Sequence, residues 1–284
     1  MFPAFLSSLE EEIIACRLIK SGNVVDIWKL QLSSGSYCIK HYTDTYALQR
    51  QKAELSDLQL LSKVLPASIP SIYDDLADHC DAIVLCLAWI ESGKTDNLSY
   101  KSSAELIAGL HQITVDFAGL DYVNYIGELN QFNDQNTHWP TFWVERRLLV
   151  QINLAIENKL LQEEELRYLE NYISKITSYL PELSSFSLLH GDLWNGNVLT
   201  DVNGKTFLID PAVYYGDPWV DLAMTALFGG FGPEFYGEYF EMSNVDRKGK
   251  ELIPHYQLYY LLVHLNMFGR SYYPDIAKIV RRYT

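Results

Sequence analysis

Cysteines are scarce in this sequence, and those present are not arranged as a metal site. They are Cys16, Cys38, Cys80 and Cys86, with no C-x-x-C pair and no cluster of histidines beside them. Zinc sites and disulfide scaffolds place cysteines in such pairs or at dense, regular spacings. We therefore expect reduced, partly buried thiols and a cytoplasmic protein.

Long apolar runs and an excess of basic residues are also absent. No run approaches the roughly 18 apolar residues that a transmembrane helix needs, and the N-terminal MFPAFLSSLEEEII lacks the basic start and apolar core of a secretion signal. Lys and Arg number 22 against 36 Asp and Glu, a formal net charge of -14. A negative field repels nucleic acid and anionic membranes, so neither is expected as a partner, but it tolerates cationic substrates.

The chain changes its pattern near residue 90. Before that point, short β-prone runs separated by turns surround a helical leucine repeat over residues 45–65. These runs are Ile13–Ile19, Val24–Leu32, Tyr37–Lys40, Ile72–Leu76 and Ala82–Leu87. After residue 98 the pattern is mostly helical, and helices are predicted over Ala104–Ile113, over Pro140–Asn158 and along the apolar stripe from Leu166 to Leu180. This organisation predicts an α+β protein with a small antiparallel β-rich lobe over 1–90 and a larger, mainly α-helical lobe over 91–284.

The most informative stretch is LLHGDLWNGNVL, residues 188–199, in which apolar flanks surround a polar loop. It holds Asp192 and, five residues later, Asn197, the spacing of the kinase catalytic loop H-R-D-x-x-x-x-N. Phosphoryl transfer needs a carboxylate to receive the proton of the attacking hydroxyl and an oxygen ligand to hold Mg²⁺ against the phosphates. Asp192 is predicted to be the catalytic base and Asn197 a metal ligand. Gly191 replaces the Arg that reads an activation-loop phosphate, which argues against a phosphorylation-switched protein kinase.

A second acidic residue follows eighteen positions after Asp192. The apolar run Phe207–Ile209 ends at Asp210, which is the place for another carboxylate ligand of Mg²⁺. Asp221, eleven residues further on, is interpreted either as a helix-borne acid that braces the catalytic loop or as a helix N-terminal charge.

Lys40 closes the third β-prone run, at the position of the V-A-I-K lysine of kinases. Its ammonium is predicted to contact the α- and β-phosphates of ATP, and Glu54 on the following helix to hold it by an ion pair. A solvated strand end and a solvated helix face are the alternatives at these two positions.

Two further segments are predicted to contact the nucleotide. The turn at Gly22 and Asn23 can place backbone N–H groups over the phosphates, although it is not a G-x-G-x-x-G loop. The segment Ala88, Trp89 and Ile90 follows the last β-prone run of the first lobe. It is predicted to be the hinge that bonds adenine through its backbone.

The sequence resembles the fructosamine (ketosamine) kinase family, within the protein-kinase-like superfamily, over nearly its whole length. The motifs that carry the resemblance are HGDLWNGN at 190–197, DPAVYYG at 210–216, DLAM at 221–224, LFGGF at 227–231, NYIG at 124–127, WVERRL at 143–148 and LNMFG at 265–269. The Trp that follows Asp-Leu, Trp194, distinguishes this family from many aminoglycoside and choline kinases.

This resemblance implies a bilobal protein-kinase-like fold and ATP-dependent phosphorylation of a sugar hydroxyl on an amine-linked ketose. The cofactors implied are ATP and Mg²⁺, and the substrates are free or protein-bound fructosamines or ribulosamines. Phosphorylation would lead to loss of the sugar, so the activity would be a deglycation repair step. Trp194 is predicted to wall the sugar or its cationic amine, and Tyr214 and Tyr215 either line the same cleft or pack. A monomer or weak dimer is expected.

Two other functions stay open at this point. One is a kinase for another small alcohol, such as an aminoglycoside, choline or homoserine. The other is a nucleotide-binding scaffold without catalysis, which is disfavoured because Lys40, Asp192, Asn197 and Asp210 are all present.

Overall fold

The computed structural model of the protein describes residues 2–76, 82–93 and 97–283. Cys16, Cys38 and Cys86 remain thiols, while Cys80 lies outside the described residues. The chain divides into two compact units, Met1–Thr95 with Leu199–Ile209, and Asp96–Val198 with Asp210–Thr284. The sequence suggested one boundary after residue 90, but a hairpin of eleven residues from the later chain belongs to the first unit.

Strands and helices are numbered along the described part of the chain. The strands are β1 Ile13–Ser21, β2 Val25–Leu32, β3 Ser36–Tyr42, β4 Val84–Ala88, β5 Thr114–Val115, β6 Asn124–Ile126, β7 Leu129–Gln131, β8 Phe186–Leu189, β9 Val198–Thr200, β10 Thr206–Leu208 and β11 Tyr214–Gly216. The helices are α1 Phe2–Ser8, α2 Ala47–Val64, α3 Asn97–His111, α4 Trp139–Phe142, α5 Leu149–Glu157, α6 Glu163–Ile176, α7 Trp219–Thr225, α8 Pro233–Met242, α9 Ile253–Phe268 and α10 Tyr273–Arg282.

The first unit is built on an antiparallel sheet with the strand order β1-β2-β3-β4. Tight turns set its register: Gly22 N–H donates to the Val25 carbonyl at 3.1 Å, and Leu32 N–H donates to the Gly35 carbonyl at 2.8 Å. One face of the sheet packs into a buried apolar cluster. That cluster includes Phe5, Leu30, Leu32, Ile39, Val84 and Cys86. The predicted meander is therefore confirmed.

The β9–β10 hairpin is bonded to the first unit through its backbone. Leu208 N–H donates to the Ser68 carbonyl at 2.9 Å, and Gly93 N–H donates to the Thr200 carbonyl at 2.7 Å. These bonds explain why residues 199–209 group with a part of the chain that precedes them by more than 100 positions.

The second unit contains the remaining helices and a short sheet in which β8 lies between β11 and β5. Its central helix is α9, which buries residues on every side, so it lacks the polar face of a surface helix. Aromatic rings fill much of this core. Trp143 packs edge-on against Tyr256 and Tyr259, with ring centroids 4.8 and 5.6 Å apart.

Three local predictions differ from the structure. Ile72–Leu76 is not a strand: Ile72 makes an isolated bridge to Leu87, and the chain then enters a 3₁₀ turn at Asp74–Leu76. The helix predicted over 140–158 contains a π-helical turn, Trp143–Leu148, between α4 and α5. In α2 the leucine stripe is only partly buried, because Leu48 lies in the first turn and is 46% exposed.

Candidate active site

The first unit contains a buried ion pair between β3 and α2. Lys40 is buried on β3, and its Nζ donates to the Glu54 carboxylate. Tyr42, two residues along the same strand and therefore on the same face, donates its hydroxyl to the other oxygen of Glu54. The pairing predicted for Lys40 and Glu54 is present in the structure, and Tyr42 is a partner that the sequence did not indicate.

The two segments predicted to contact nucleotide differ in structure: one is a turn between strands, and the other has backbone amides that are already hydrogen-bonded. Gly22 and Asn23 form the turn between β1 and β2, and a Cβ at Gly22 would lie 2.9 Å from the Val25 carbonyl oxygen. At the end of β4, Ala88 N–H donates to the Ser71 carbonyl at 2.8 Å and Trp89 N–H to the Ser36 carbonyl at 3.1 Å. The amides of Ala88 and Trp89 therefore already have backbone acceptors.

In the second unit, the 190–197 loop follows β8, and its backbone passes close to Ala212 at Gly191. Gly191 has φ 83°, and a Cβ there would lie 1.9 Å from the Ala212 carbonyl oxygen. Only glycine fits this combination of left-handed backbone and close approach. The Tyr260 hydroxyl, from α9, donates to the Gly191 carbonyl at 2.8 Å. Sterics therefore require glycine at position 191, where protein kinases have arginine.

Asp221, on α7, braces the start of this loop. Its fully buried carboxylate accepts the backbone N–H of His190 at 2.7 Å and that of Gly191 at 2.9 Å. The His111 ring contacts the same carboxylate at 3.2 Å. Of the two interpretations of Asp221, the structure supports the loop brace. His190 is also an orienting residue, because its Nδ1 accepts the N–H of Asp192 at 3.3 Å.

Asp192, Asn197 and Asp210 lie together in the second unit. The Asn197 side-chain amide donates to the Asp192 carboxylate at 3.0 Å and to the Asp210 backbone carbonyl at 3.4 Å. Asp192 is half-buried, and desolvation together with the nearby Asp210 carboxylate raises the pKa of Asp192 from 3.8 to about 7. Asp210 has φ 52°, a left-handed conformation that is uncommon outside glycine. Strain of this kind clusters at functional sites.

The three aromatic residues predicted to contact substrate differ in exposure. Trp194 is 40% exposed, and its indole lies over Gly196, where a Cβ would come within 2.3 Å of the ring. Tyr215 is half-buried and packs edge-on against Phe117. Tyr214 is fully buried, and its ring lies 3.9 Å from the Arg147 guanidinium. Of the two interpretations of Tyr214, its burial favours packing over substrate contact.

Within the described ranges, no group of three or more His, Cys, Asp or Glu side chains could hold a metal ion by itself. The oxygens of Asn197 and Asp210 nevertheless suit Mg²⁺, which prefers hard oxygen ligands and needs only one or two carboxylates when phosphates complete its shell. Burial is the main cause of the raised pKa of Asp192, and the neighbouring Asp210 carboxylate adds negative charge that a cation would neutralise. Among the described helices, none combines the length and apolar character that crossing a membrane requires.

The fold and this loop define an ATP-dependent phosphotransferase with the protein-kinase-like fold. A structure of Streptococcus pneumoniae choline kinase LicA matches 98% of this chain and 96% of its own with a TM-score of 0.68. At 17% identity, that likeness shows the fold alone.

The closer comparisons identify the family. The family model of fructosamine kinase matches residues 7–284. A curated protein of Enterococcus faecium, named a probable ketoamine kinase, is 39% identical over 236 residues, 82% of each chain. A solved structure from Haemophilus somnus, named a putative fructosamine-3-kinase, is 27% identical with a TM-score of 0.83, covering 99% of this chain and 95% of its own. The chain belongs to the fructosamine kinase family.

Proposed function

We propose that this protein transfers the γ-phosphoryl group of ATP to a sugar hydroxyl of a ketosamine, with Mg²⁺ as the metal. The observation that carries the proposal is the arrangement of Asp192, Asn197 and Asp210 in a chain whose family membership spans residues 7–284. Fructosamines and ribulosamines, free or on protein amines, are the proposed acceptors. The phosphorylated sugar would then be lost from the amine, so the reaction would serve deglycation.

Asp192 is the proposed general base. The acceptor hydroxyl oxygen attacks the γ-phosphorus, the bond from that phosphorus to the bridging oxygen of ADP breaks, and the hydroxyl proton passes to the Asp192 carboxylate. Mg²⁺ would be held by Asn197 and Asp210 and would neutralise phosphate charge. Asp221 and Gly191 keep the loop in place by the hydrogen bonds and close packing described above.

The first unit is proposed to hold the nucleotide. Lys40 is already oriented by Glu54 and carries the charge needed for the phosphates. Because the amides of Ala88 and Trp89 already donate to the Ser71 and Ser36 carbonyls, a bond to adenine has to use the Ile90 N–H or a carbonyl of this segment. Gly22 and Asn23 remain the proposed phosphate turn.

Trp194 is proposed to contact the acceptor. Its large exposed ring stands two residues from Asp192, and an aromatic face attracts a cationic amine. Tyr215 is a weaker candidate for the same contact because it is half-buried against Phe117. Choline kinases share the fold, so the acceptor has to be tested directly.

The test is a coupled ATP-consumption assay with fructosyl-lysine and ribulosyl-lysine, beside choline, homoserine and an aminoglycoside. We expect turnover with the ketosamines that disappears in excess chelator and returns with Mg²⁺. Turnover only with another alcohol would replace the proposed acceptor class. Nucleotide binding without turnover on any acceptor would favour a non-catalytic scaffold. Full turnover in excess chelator would remove the metal role of Asn197 and Asp210.

A further inference from the structure

A buried cluster of polar side chains lies behind the segment that follows Asp210. We call it the amide network; its members are Asn124, Gln131, Asn133, Arg147 and Tyr259. Each is at most 1% exposed, and they come from β6, β7, the chain after β7, the π-helical turn and α9. Burying five polar side chains is unfavourable unless each is hydrogen-bonded, so their bonds indicate what the network holds.

The network ends on two consecutive backbone carbonyls. Gln131 Nε2 donates to the Ala212 carbonyl at 3.0 Å, and Asn124 Nδ2 donates to the Val213 carbonyl at 2.8 Å. Ala212 is also held on its amide side, because its N–H donates to the His190 carbonyl at 2.9 Å. The segment just after Asp210 is therefore fixed both by the catalytic loop and by the amide network.

Arg147 determines which way the asparagine amides point. A guanidinium can only donate, and Arg147 Nη2 donates to Asn133 Oδ1 at 2.7 Å. Asn133 must then present its Nδ2, which donates to Asn124 Oδ1 at 2.8 Å. Asn124 in turn presents its own Nδ2 to the Val213 carbonyl. Because Arg147 can only donate, it fixes both asparagine amides so that Asn124 presents an N–H donor to the Val213 carbonyl.

Gln131 is oriented from a second side. The Tyr259 hydroxyl donates to Gln131 Oε1 at 3.0 Å, which leaves Gln131 Nε2 to donate both to Asn124 Oδ1 at 2.9 Å and to the Ala212 carbonyl. A flipped Gln131 amide would place its oxygen against two acceptors. The orientation seen is the one that satisfies every partner.

Among the described contacts of Arg147, backbone carbonyls, an amide oxygen and aromatic rings stabilise its buried charge, and no carboxylate does. Its Nη1 donates to the Phe132 carbonyl at 2.6 Å, and its guanidinium faces the rings of Tyr214 at 3.9 Å and Phe142 at 4.7 Å. Cation–π contacts of this kind are worth more where water is excluded. The full burial of Tyr214, which disfavours its contact with substrate, serves this arrangement.

We propose that the amide network is a positioning device for the Asp210 carboxylate and therefore for the divalent cation of the reaction. Asp210 has a left-handed backbone that its surroundings must impose. The network clamps the chain two and three residues further on, with only the rigid Pro211 between. Gln131, Asn124 and Arg147 act through this clamp and do not touch substrate. The proposal rests on the proposed metal role of Asp210.

The test measures how nucleotide binding depends on free Mg²⁺, with a fluorescent ATP analogue and no acceptor. Gln131→Met keeps the side-chain length and removes the bond to the Ala212 carbonyl. We expect the Mg²⁺ concentration at half-maximal binding to rise about tenfold, since loss of an outer-shell partner typically weakens metal binding by 10- to 100-fold. Tyr259→Phe removes one hydroxyl and should raise the same Mg²⁺ concentration by a smaller factor.

Tyr172→Phe is the matched control. It removes one buried tyrosine hydroxyl, which is bonded to His255 at 2.6 Å and, among the described contacts, to no member of the amide network. An unshifted Mg²⁺ dependence in Tyr259→Phe and Gln131→Met, or an equal shift in Tyr172→Phe, overturns the positioning role. If Gln131→Met does not fold, Tyr259→Phe decides. A wild-type protein whose nucleotide binding ignores Mg²⁺ would refute the metal site itself, which is a different failure.

Discussion

At the scale of single residues, the proposed chemistry depends on whether the Asp192 carboxyl group is ionised. Its pKa is raised to about 7 by burial and by Asp210, whereas an ordinary Asp titrates near 3.8. A base with a pKa near the working pH is well suited to proton transfer. The nearby Asp210 carboxylate, which contributes to this shift after burial, would also favour a cation at the proposed metal site.

Proton release on metal binding follows from this pKa. At pH 6 most of the Asp192 carboxyl is protonated in the free protein, and a bound cation lowers its pKa, so binding of the preformed Mg²⁺–ATP complex should release about one proton. At pH 8 the group is already ionised, and the release should be near zero. Calorimetry in two buffers with different ionisation enthalpies measures this number.

Asp192→Asn is the control for that measurement and should abolish the release at pH 6. Heats that do not depend on the buffer at pH 6 in the wild type would contradict the assignment of this pKa to the metal site.

The residues that could be predicted from the sequence are those at a fixed, short spacing. Asp192 and Asn197 are five positions apart in one loop, so local sequence alone brings them together. Gln131 and Ala212 are joined across 81 positions, and buried amides have no periodic pattern that would reveal such a contact. Arg147 lay in a motif of the family resemblance, but its role required the fold.

At the scale of elements, turns and repeats were the reliable signals. Glycine turns predicted the β1–β3 meander, and the leucine spacing predicted α2. Strands β6 and β7 were missed because three residues are too few to show alternation. The 3₁₀ turn at Asp74–Leu76 was mistaken for strand because its short apolar surroundings fit either structure.

Helix α7 is expected to stabilise the catalytic loop through Asp221. Asp221→Asn leaves one side-chain oxygen, while the carboxylate accepts two buried backbone amides. The amide left unpaired should cost about 1–3 kcal/mol of unfolding free energy. For a protein of this size, each kcal/mol lowers Tm by roughly 2–4 °C.

Thermal unfolding of Asp221→Asn beside Asp121→Asn, an exposed position, measures this effect. Equal Tm values for the two variants would show that the brace does not contribute to stability.

At the scale of the whole molecule, two of the three passages of the chain between its units lie at the residues proposed to hold the metal. After the boundary at residue 95, the chain passes back to the first unit between Val198 and Leu199, just after Asn197, and returns between Ile209 and Asp210. Lys40 and Glu54 belong to the first unit, and Asp192 belongs to the second. Each unit thus carries a separate part of the proposed chemistry, with nucleotide groups in one and the base in the other.

Turnover of Asp192→Asn tests the central claim most directly. The substitution keeps size and removes the charge that receives the hydroxyl proton, so kcat with a ketosamine should fall by roughly 10²–10⁴-fold. Affinity for ATP with Mg²⁺, measured on the same sample by calorimetry, should persist because Lys40, Asn197 and Asp210 are unchanged. Near-normal turnover would contradict the account by removing Asp192 from the mechanism, and lost turnover together with lost nucleotide binding would make its role structural.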